Sequence, residues 1–176
     1  MKILGIDPGT NILGFAIIDA QKNTIELIDS GILDLRKTKD TFQKLNAIYA
    51  KISELLDSYA VDQAAIESPF YGKNVQSMLK LGRAQGVAIA AVMQKQVSIY
   101  EYAPRKVKIA VTGNGNASKE QVARMLESIL GFTLEDRKLD ETDAIAIAVC
   151  HYFNSKNPQK SQYSSWKDYA RKKGLI

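Results

Sequence analysis

Lys2-Ile3-Leu4-Gly5-Ile6-Asp7-Pro8-Gly9-Thr10 is the stretch of this chain that decides its fold. Its apolar run predicts a buried strand that delivers Asp7 to its end, and Gly9 permits the tight turn that follows. A carboxylate in that position is suited to a metal ion or a phosphate. Asp7 could equally do no more than start an Asx turn, so its meaning depends on the other acids of the chain.

The length of 176 residues and the single cysteine limit the class of protein. A chain of this size most simply forms one domain with a sizeable core. No run of about 18 apolar residues occurs, so we expect no membrane span, and Asp7 comes too early for a signal peptide. Cys150 lies in an apolar run and is typical of a core residue in a reducing cytoplasm. We therefore expect a cytoplasmic protein.

Charge is distributed unevenly along the chain. Residues 1–70 and 120–153 are acidic, with net charges of −3 and −4, whereas residues 71–119 carry +7 and residues 154–176 carry +5. Basic surface beside an acidic, metal-binding pocket suits a polyphosphate substrate. Lysine-rich faces can also serve only solubility, and charge alone does not separate the two interpretations.

Apolar periodicity predicts alternating strands and helices. The first three strands have short links, which is typical of an antiparallel meander. Helices are indicated by apolar residues at helical spacing and by capping signals such as the Ser118–Gln121 capping box. The predicted strands span residues 2–7, 13–18, 24–35, 64–67 and 97–101, and the predicted helices span residues 41–59 (capped by Thr41, with Phe42 on its apolar face), 75–95, 118–130 and 140–152, with a short helix from Pro104.

The helix predicted at residues 75–95 contains Gly82 and Gly86, one turn apart. Two glycines lower helix propensity, so we expect another backbone to approach closely there. The approaching helix could belong to this chain or to a second copy of it.

Four acids occupy special places in this pattern: Asp7 and Glu67 at strand ends, and Asp140 and Asp143 at a helix start. Asp140 and Asp143 share a helix face, about 4.5 Å apart along the axis. Converging carboxylates repel one another unless cations lie among them, and hard oxygen ligands select Mg²⁺ or Mn²⁺. Two such ions, about 3.5–4 Å apart, can hydrolyse a phosphodiester without a nucleophilic side chain.

Each acid also has a purely structural interpretation. Asp140 and Asp143 could form an N-cap and an acidic first turn, and Glu67 could cap a turn before Pro69. Asp136 and Glu141 are left out of the set, because Asp136 precedes the helix and Glu141 points off the shared face. His151 lies about 12 Å along the helix from Asp143, so we interpret it as a packing or surface residue.

These motifs resemble the RuvC family of Holliday junction resolvases. The resemblance rests on Gly5-Ile-Asp-Pro-Gly-Thr10, Ala65-Ile-Glu67, Lys80-Leu-Gly-Arg-Ala-Gln-Gly-Val87, Val107-Lys108 through Lys119, and Asp140-x-x-Asp-Ala-x-Ala-Ile-Ala148. They occur in family order over Met1 to about His151. Two departures are the stiffening Ser68-Pro69 pair and the tail from residue 154, to which the resemblance assigns no role.

The resemblance implies an α/β, RNase H-like fold, a five-stranded mixed sheet of antiparallel meander plus parallel strands, flanked by helices. It implies a Mg²⁺-dependent endonuclease that, as a homodimer, cuts a four-way DNA junction symmetrically in recombination and repair, together with the branch-migration proteins RuvA and RuvB. Two Mg²⁺ ions are expected per subunit, and Mn²⁺ can substitute for them.

The resemblance also assigns roles to residues. By position, the catalytic metal ligands are Asp7, Glu67, Asp140 and Asp143, and the DNA-contact residues are Phe70, Lys73, Asn74, Lys108 and Lys119. Phe70 matches an aromatic that stacks on bases near the crossover, although it could simply cover the core edge. Lys108 and Lys119 match lysines near the scissile phosphate, where they would stabilise transition-state charge.

The nuclease domain is predicted to span residues 1–153. Residues 154–176 form a polar, basic tail whose composition is typical of disordered chain. Its charge predicts salt-sensitive, non-specific DNA contact, and a solvated tail without function fits the composition as well.

Three other functions fit parts of the sequence. Asp7-x-Gly-Thr10 with Gly14 also resembles the phosphate loop of actin-like ATPases and sugar kinases, but those chains need two such domains. A junction-binding module without catalysis would gain nothing from four repelling acids beside phosphates. A nuclease for the RNA of hybrids shares the acids, and Phe70 and the glycine-containing helix favour the junction enzyme over it.

Overall fold

Five strands form one sheet within the described part of the chain, and helices cover both of its faces. The computed structural model describes residues 1–22, 24–68, 74–134 and 137–156. The strands are β1 (Lys2–Asp7), β2 (Ile12–Ala20), β3 (Ile25–Asp34), β4 (Gln63–Glu67) and β5 (Ser98–Tyr102). The helices are α1 (Thr41–Tyr59), α2 (Val75–Gln94), α3 (Pro104–Thr112), α4 (Lys119–Leu130) and α5 (Leu139–Lys156).

The sheet is mixed, in the order β3-β2-β1-β4-β5. Strands β1, β2 and β3 pair antiparallel as the predicted meander, and β4, which follows β3 through α1, pairs parallel with β1. β5 extends the parallel half beside β4. The predicted α/β, RNase H-like architecture is therefore confirmed.

Side chains of β1 alternate between two cores because successive residues of a strand point to opposite faces. Leu4 and Ile6 are fully buried on the face covered by α1 and α2. Ile3 is fully buried on the face covered by α3, α4 and α5. By the same alternation, Asp7 at the end of β1 points to the α5 face.

Helix α5 packs against β1 and β2 with almost no space between the backbones. A Cβ added to Gly5 would overlap the carbonyl oxygen of Ala144 and lie 2.9 Å from Ala148 Cβ. A Cβ added to Gly14 would overlap the carbonyl oxygen of Asp140. The glycines in the strands and the alanines in the helix let α5 lie this close, which sets the height of its first turn above the sheet.

Two details of the predicted helices differ in the structure. Asp40, not Thr41, is the N-cap of α1, and its side chain accepts a hydrogen bond from Gln43 N at 2.8 Å. Phe42, expected on the buried face, is 79% exposed. It lies in the first turn of α1, and the buried residues of that helix begin only at Ile48.

The expected close approach at Gly82 and Gly86 does not occur among the described residues. A Cβ added to either would meet none of the described residues within 4 Å. The side of α2 that packs on the sheet instead carries Ala84, Ala88 and Ala91, each at most 2% exposed. Of the two approaching helices considered, only one from a second copy remains compatible with the described residues.

The last helix continues to Lys156, three residues past the position 153 that we predicted as the end of the domain. The remaining tail, residues 157–176, lies outside the described residues. In the part of the chain that is described, no helix has the length and apolarity needed to cross a membrane.

Substituting Gly5 or Gly14 by alanine should separate α5 from the sheet. Overpacking against rigid backbone typically lowers the free energy of unfolding by about 1–3 kcal/mol, and we expect both variants to lose at least that much in urea unfolding. Gly82→Ala is the matched control, because its Cβ enters open space and alanine favours the helix. Equal stability of Gly5→Ala, Gly14→Ala and Gly82→Ala would contradict the close contact.

Candidate active site

Two parallel strands bring the first two acids together. β1 and β4 are neighbours, and their register pairs Ile6 with Ile66. The next residue in each strand, Asp7 and Glu67, therefore lies at the same level of the same sheet edge. The sequence places one carboxylate at the end of each strand, and the parallel pairing makes them adjacent.

The first turns of α5 supply the other two acids. Asp140 and Asp143 lie one turn apart and line, with Asp7 and Glu67, one cavity of about 400 Å³. Its remaining lining residues are Pro104, Val107, Lys108, Lys119, Val122, Ala146 and Ile147. The structure thus collects all four predicted acids and two of the predicted lysines around one cavity.

Burial and mutual repulsion make the innermost carboxylates hard to ionise. Desolvation, followed by the charges of Glu67, Asp143 and Asp140, raises the pKa of Asp7 from its ordinary 3.8 to about 8. Desolvation and the charge of Asp143 raise the pKa of Glu67 to about 7. Such shifts are typical of functional sites.

Lysines at the rim partly offset this repulsion. Lys119 Nζ forms an ion pair with Asp143 Oδ2 at 2.5 Å. Burial alone would lower the pKa of Lys119, but the hydrogen bond from its ammonium to Asp143 and the charges of Asp143, Asp7 and Asp140 outweigh it and raise that pKa. Lys119 and Lys108 in turn act to lower the pKa of Glu67.

The donor set of this cavity suits hard divalent cations. Its ligands are carboxylate oxygens, which Mg²⁺ and Mn²⁺ prefer, and the repulsion recorded in the raised pKa values is what a cation would relieve. Within residues 1–22, 24–68, 74–134 and 137–156, no three acids, histidines or cysteines lie close enough to hold one ion as they stand. Binding would therefore draw the carboxylates inward.

The other predicted DNA-contact residues have different outcomes. Asn74 is the N-cap of α2, and its Oδ1 accepts a hydrogen bond from Ser77 N at 3.1 Å. Its side chain therefore has a structural task in addition to any contact with DNA. Phe70 and Lys73 lie outside the described residues.

One residue that we did not single out supports Glu67 from behind. Gln85 of α2 is 5% exposed, and its Nε2 donates to Glu67 O at 3.3 Å and to Glu101 Oε1 at 3.2 Å. A glutamine between Ala84 and Ala88 on an otherwise apolar helix face was a usable signal, because buried amides are kept where they hold a partner.

A second network fixes the start of α5. Glu141 is 8% exposed, accepts a hydrogen bond from Ser30 Oγ at 2.7 Å, and forms an ion pair with Arg137. Arg137 also donates to Ser30 Oγ. Glu141 points away from the cavity, as predicted, and these contacts hold the turn that carries Asp140 against β3.

His151 is a packing residue, in agreement with the prediction. It is 2% exposed and bonds to Tyr102 Oη at 2.8 Å and to Gln63 Oε1 at 2.7 Å. Burial lowers the pKa of its imidazole to about 4. A buried, neutral imidazole that makes two hydrogen bonds and does not line the cavity has no role in proton transfer there.

Comparison with known proteins gives one consistent family. A family model described as crossover junction endodeoxyribonuclease RuvC matches residues 3–151. Proteins of that name from Cytophaga hutchinsonii and Bacteroides fragilis are 53% and 50% identical to this chain; the matches cover 96% and 97% of this chain and 84% and 92% of theirs. The structure of T. thermophilus RuvC in complex with Holliday junction substrate superposes with a TM-score of 0.83 at 30% identity, covering 89% of this chain and 95% of that one.

The raised carboxyl pKa values predict an unusual dependence of stability on pH without divalent cations. The folded-state pKa values of Asp7 and Glu67, about 8 and about 7, lie above the ordinary values of 3.8 and 4.5. The folded protein therefore holds these protons more tightly than the unfolded chain. This stabilisation is complete below about pH 4 and is lost as the pH rises through about 7 to 8.

Asp7→Asn should remove much of this dependence. In EDTA near pH 9 we expect the variant to melt at least about 2–4 °C above the wild type, about 1 kcal/mol for a protein of this size, with little difference near pH 4. Thermal unfolding followed by circular dichroism measures both. Glu26→Gln, an exposed carboxylate on β3, is the control, and a wild-type profile parallel to that of Asp7→Asn would contradict the shift.

Proposed function

The chain belongs to the RuvC family of crossover junction endodeoxyribonucleases, and on that basis we propose that it resolves four-way DNA junctions by paired, symmetric cleavage at the cavity beside Asp7. The observation that carries the assignment of the site is the meeting of four carboxylates, from two strands and one helix, around one cavity with two lysines at its rim. Two-metal hydrolysis of a phosphodiester uses such a combination, and a pure DNA-binding module has no need of it.

We propose that Asp7, Glu67, Asp140 and Asp143 hold two Mg²⁺ ions per subunit, which Mn²⁺ can replace. The chemistry that such ions supply is a lowered pKa of the attacking water and stabilisation of the leaving 3′ oxygen. The residues that line the cavity position the scissile phosphate in one orientation. The buried side chains of Val107, Val122 and Ile147 form an apolar wall on the core side of the cavity, which limits the space open to water.

Lys108 and Lys119 are proposed to neutralise charge that develops on the phosphate. In the structure Lys119 is held by Asp143, so its ammonium is already directed into the cavity. When the carboxylates are drawn together, that ammonium is available to a phosphate oxygen at little cost in side-chain entropy.

A homodimer is proposed because α2 exposes an apolar stripe at helical spacing. Val75, Leu79 and Met93 are 67%, 61% and 63% exposed, and Gly82 and Gly86 lie between them on the same side of the helix. An exposed apolar stripe marks an interaction site, and its glycines admit close helix contact. A second copy placed on this stripe forms a two-fold interface, which matches the two-fold symmetry of paired cuts in a junction.

On family grounds we also propose RuvA and RuvB as partners in recombination and repair. For contact with the junction DNA, we propose Phe70 and Lys73 from the resemblance alone. Lys108 and Lys119 are proposed from the resemblance and also from their place at the cavity. The single cysteine, buried at position 150, fits the proposed cytoplasmic location.

Cleavage of a synthetic four-way junction in Mg²⁺ tests the proposed reaction. The wild type should make paired symmetric nicks, and Asp7→Asn should cut at least about 10³-fold more slowly, a loss of about 4 kcal/mol in transition-state stabilisation. Binding of the junction should persist in the variant, and Glu26→Gln should cut normally. Binding without cuts by the wild type in Mg²⁺ or Mn²⁺ would contradict the proposal, as would preferential cutting of an RNA–DNA hybrid.

Leu79→Glu tests the dimer interface. A charge at the centre of an apolar two-fold contact is buried twice per dimer, so we expect the dimer Kd to rise at least about tenfold. Sedimentation velocity over a concentration series measures it. Met125→Glu, at an apolar side chain 40% exposed on α4, is the control, and equal dissociation constants for the two variants would place the interface elsewhere.

A further inference from the structure

A second cavity, of about 300 Å³, opens on the other face of the sheet between the first turns of α1 and α2. It shares no lining residue with the cavity beside Asp7. Its rim is basic and polar and its floor is apolar. The lining residues are Thr10, Asn11, Lys39, Thr41, Lys44, Leu45, Ile48, Ser77, Lys80 and Ala84.

The charge of this cavity is of one sign. Three lysines line it and no described carboxylate does. Lys39, Lys44 and Lys80 take part in none of the ion pairs found among the described residues. Asp40, beside Lys39 in sequence, does not line the cavity and is engaged as the N-cap of α1. Three ammonium groups that have no ion-pair partner among the described residues favour an anionic ligand here.

Lys44 connects the cavity to the turn that follows Asp7. Its Nζ donates to Thr10 O at 3.1 Å and to Asn11 Oδ1 at 3.0 Å. Both acceptors are neutral, so the positive charge stays uncompensated and the third N–H of the ammonium remains for a ligand. The turn that Lys44 holds begins directly after Asp7.

Position relative to the active site limits what the anion can be. Asp7 points to the α5 face, whereas this cavity lies on the α1 and α2 face at the same sheet edge. Thr10 is the third residue after Asp7, so their Cα atoms are at most about 11 Å apart. Neighbouring phosphates of one DNA strand advance by about 3.4 Å along the helix axis and lie farther apart than that in space, so a few nucleotides at most span this distance.

We propose that this cavity binds a backbone phosphodiester of the junction, a few nucleotides from the scissile phosphate. Lys39 and Lys80 supply the charge, the hydroxyl groups of Thr41 and Ser77 supply further donors, and Lys44 acts as a positioning residue for the turn after Asp7. The inference rests on the proposed junction substrate. It gives the enzyme a second contact with the DNA across the sheet edge, which fixes the position of the DNA strand relative to the carboxylates.

The salt dependence of binding tests this site without needing cleavage. Four-way junction DNA is titrated in EDTA across a salt series with wild type, Lys39→Gln, Lys80→Gln and the double variant. Each phosphate contact contributes a slope of about −0.9 to log K against log salt, so we expect the slope to weaken by about 1 in the double variant. Lys95→Gln is the control for each single variant. It removes one positive charge at the far end of α2, where Lys95 pairs with Asp57, and should leave the slope unchanged.

Two results would overturn the inference. One is an identical slope for the wild type, the double variant and Lys95→Gln. The other is submillimolar binding of inorganic phosphate to the wild type, lost in the double variant while its junction slope is unchanged, which would assign the cavity to a small free phosphate. Because slopes are measured without divalent cations, a weaker slope in the double variant supports the cavity even if the wild type cuts no junction.

Discussion

The packing of α5 directly against the backbones of β1 and β2 is the contact on which the rest of this structure depends. Gly14 lies opposite Asp7 in the β1–β2 register, and a Cβ there would overlap the carbonyl oxygen of Asp140. The absent side chain at Gly14 therefore sets the distance between the strand that carries Asp7 and the helix that carries Asp140 and Asp143. Gly5 and the alanines of α5 maintain the same spacing along the rest of the helix.

This proximity has an energetic cost. Burial, and after it the repulsion among the four carboxylates, raises the pKa values of Asp7 and Glu67, so the site opposes folding at neutral pH unless positive charge enters it. Contacts around the cavity offset this cost by holding the elements that carry the acids. Arg137 and Glu141 hold the start of α5 to β3, and Gln85 holds the end of β4. Functional sites commonly retain such local instability, which the remainder of the fold supports.

The sequence predicted the elements whose signals are local. Apolar alternation revealed the meander, and acids at strand and helix ends indicated Asp7, Glu67, Asp140 and Asp143. Features that depend on packing were not predictable. The exposure of Phe42 depends on where along α1 the buried contacts begin, and the open space at Gly82 depends on which side of α2 faces the core. The basic cavity draws residues from the turn after β1, from α1 and from α2, and no single stretch of sequence contains that pattern.

The number of cations held by the carboxylate cavity decides whether its geometry has the purpose assigned to it. Titration of the protein with Mn²⁺, with free ion counted by electron paramagnetic resonance, gives that number. Two ions per subunit in the wild type, and at most one in Asp7→Asn, are the result that the proposed two-metal site predicts. Unchanged stoichiometry in Asp7→Asn, or no binding by the wild type at millimolar Mn²⁺, would show that the four acids do not form a shared metal site.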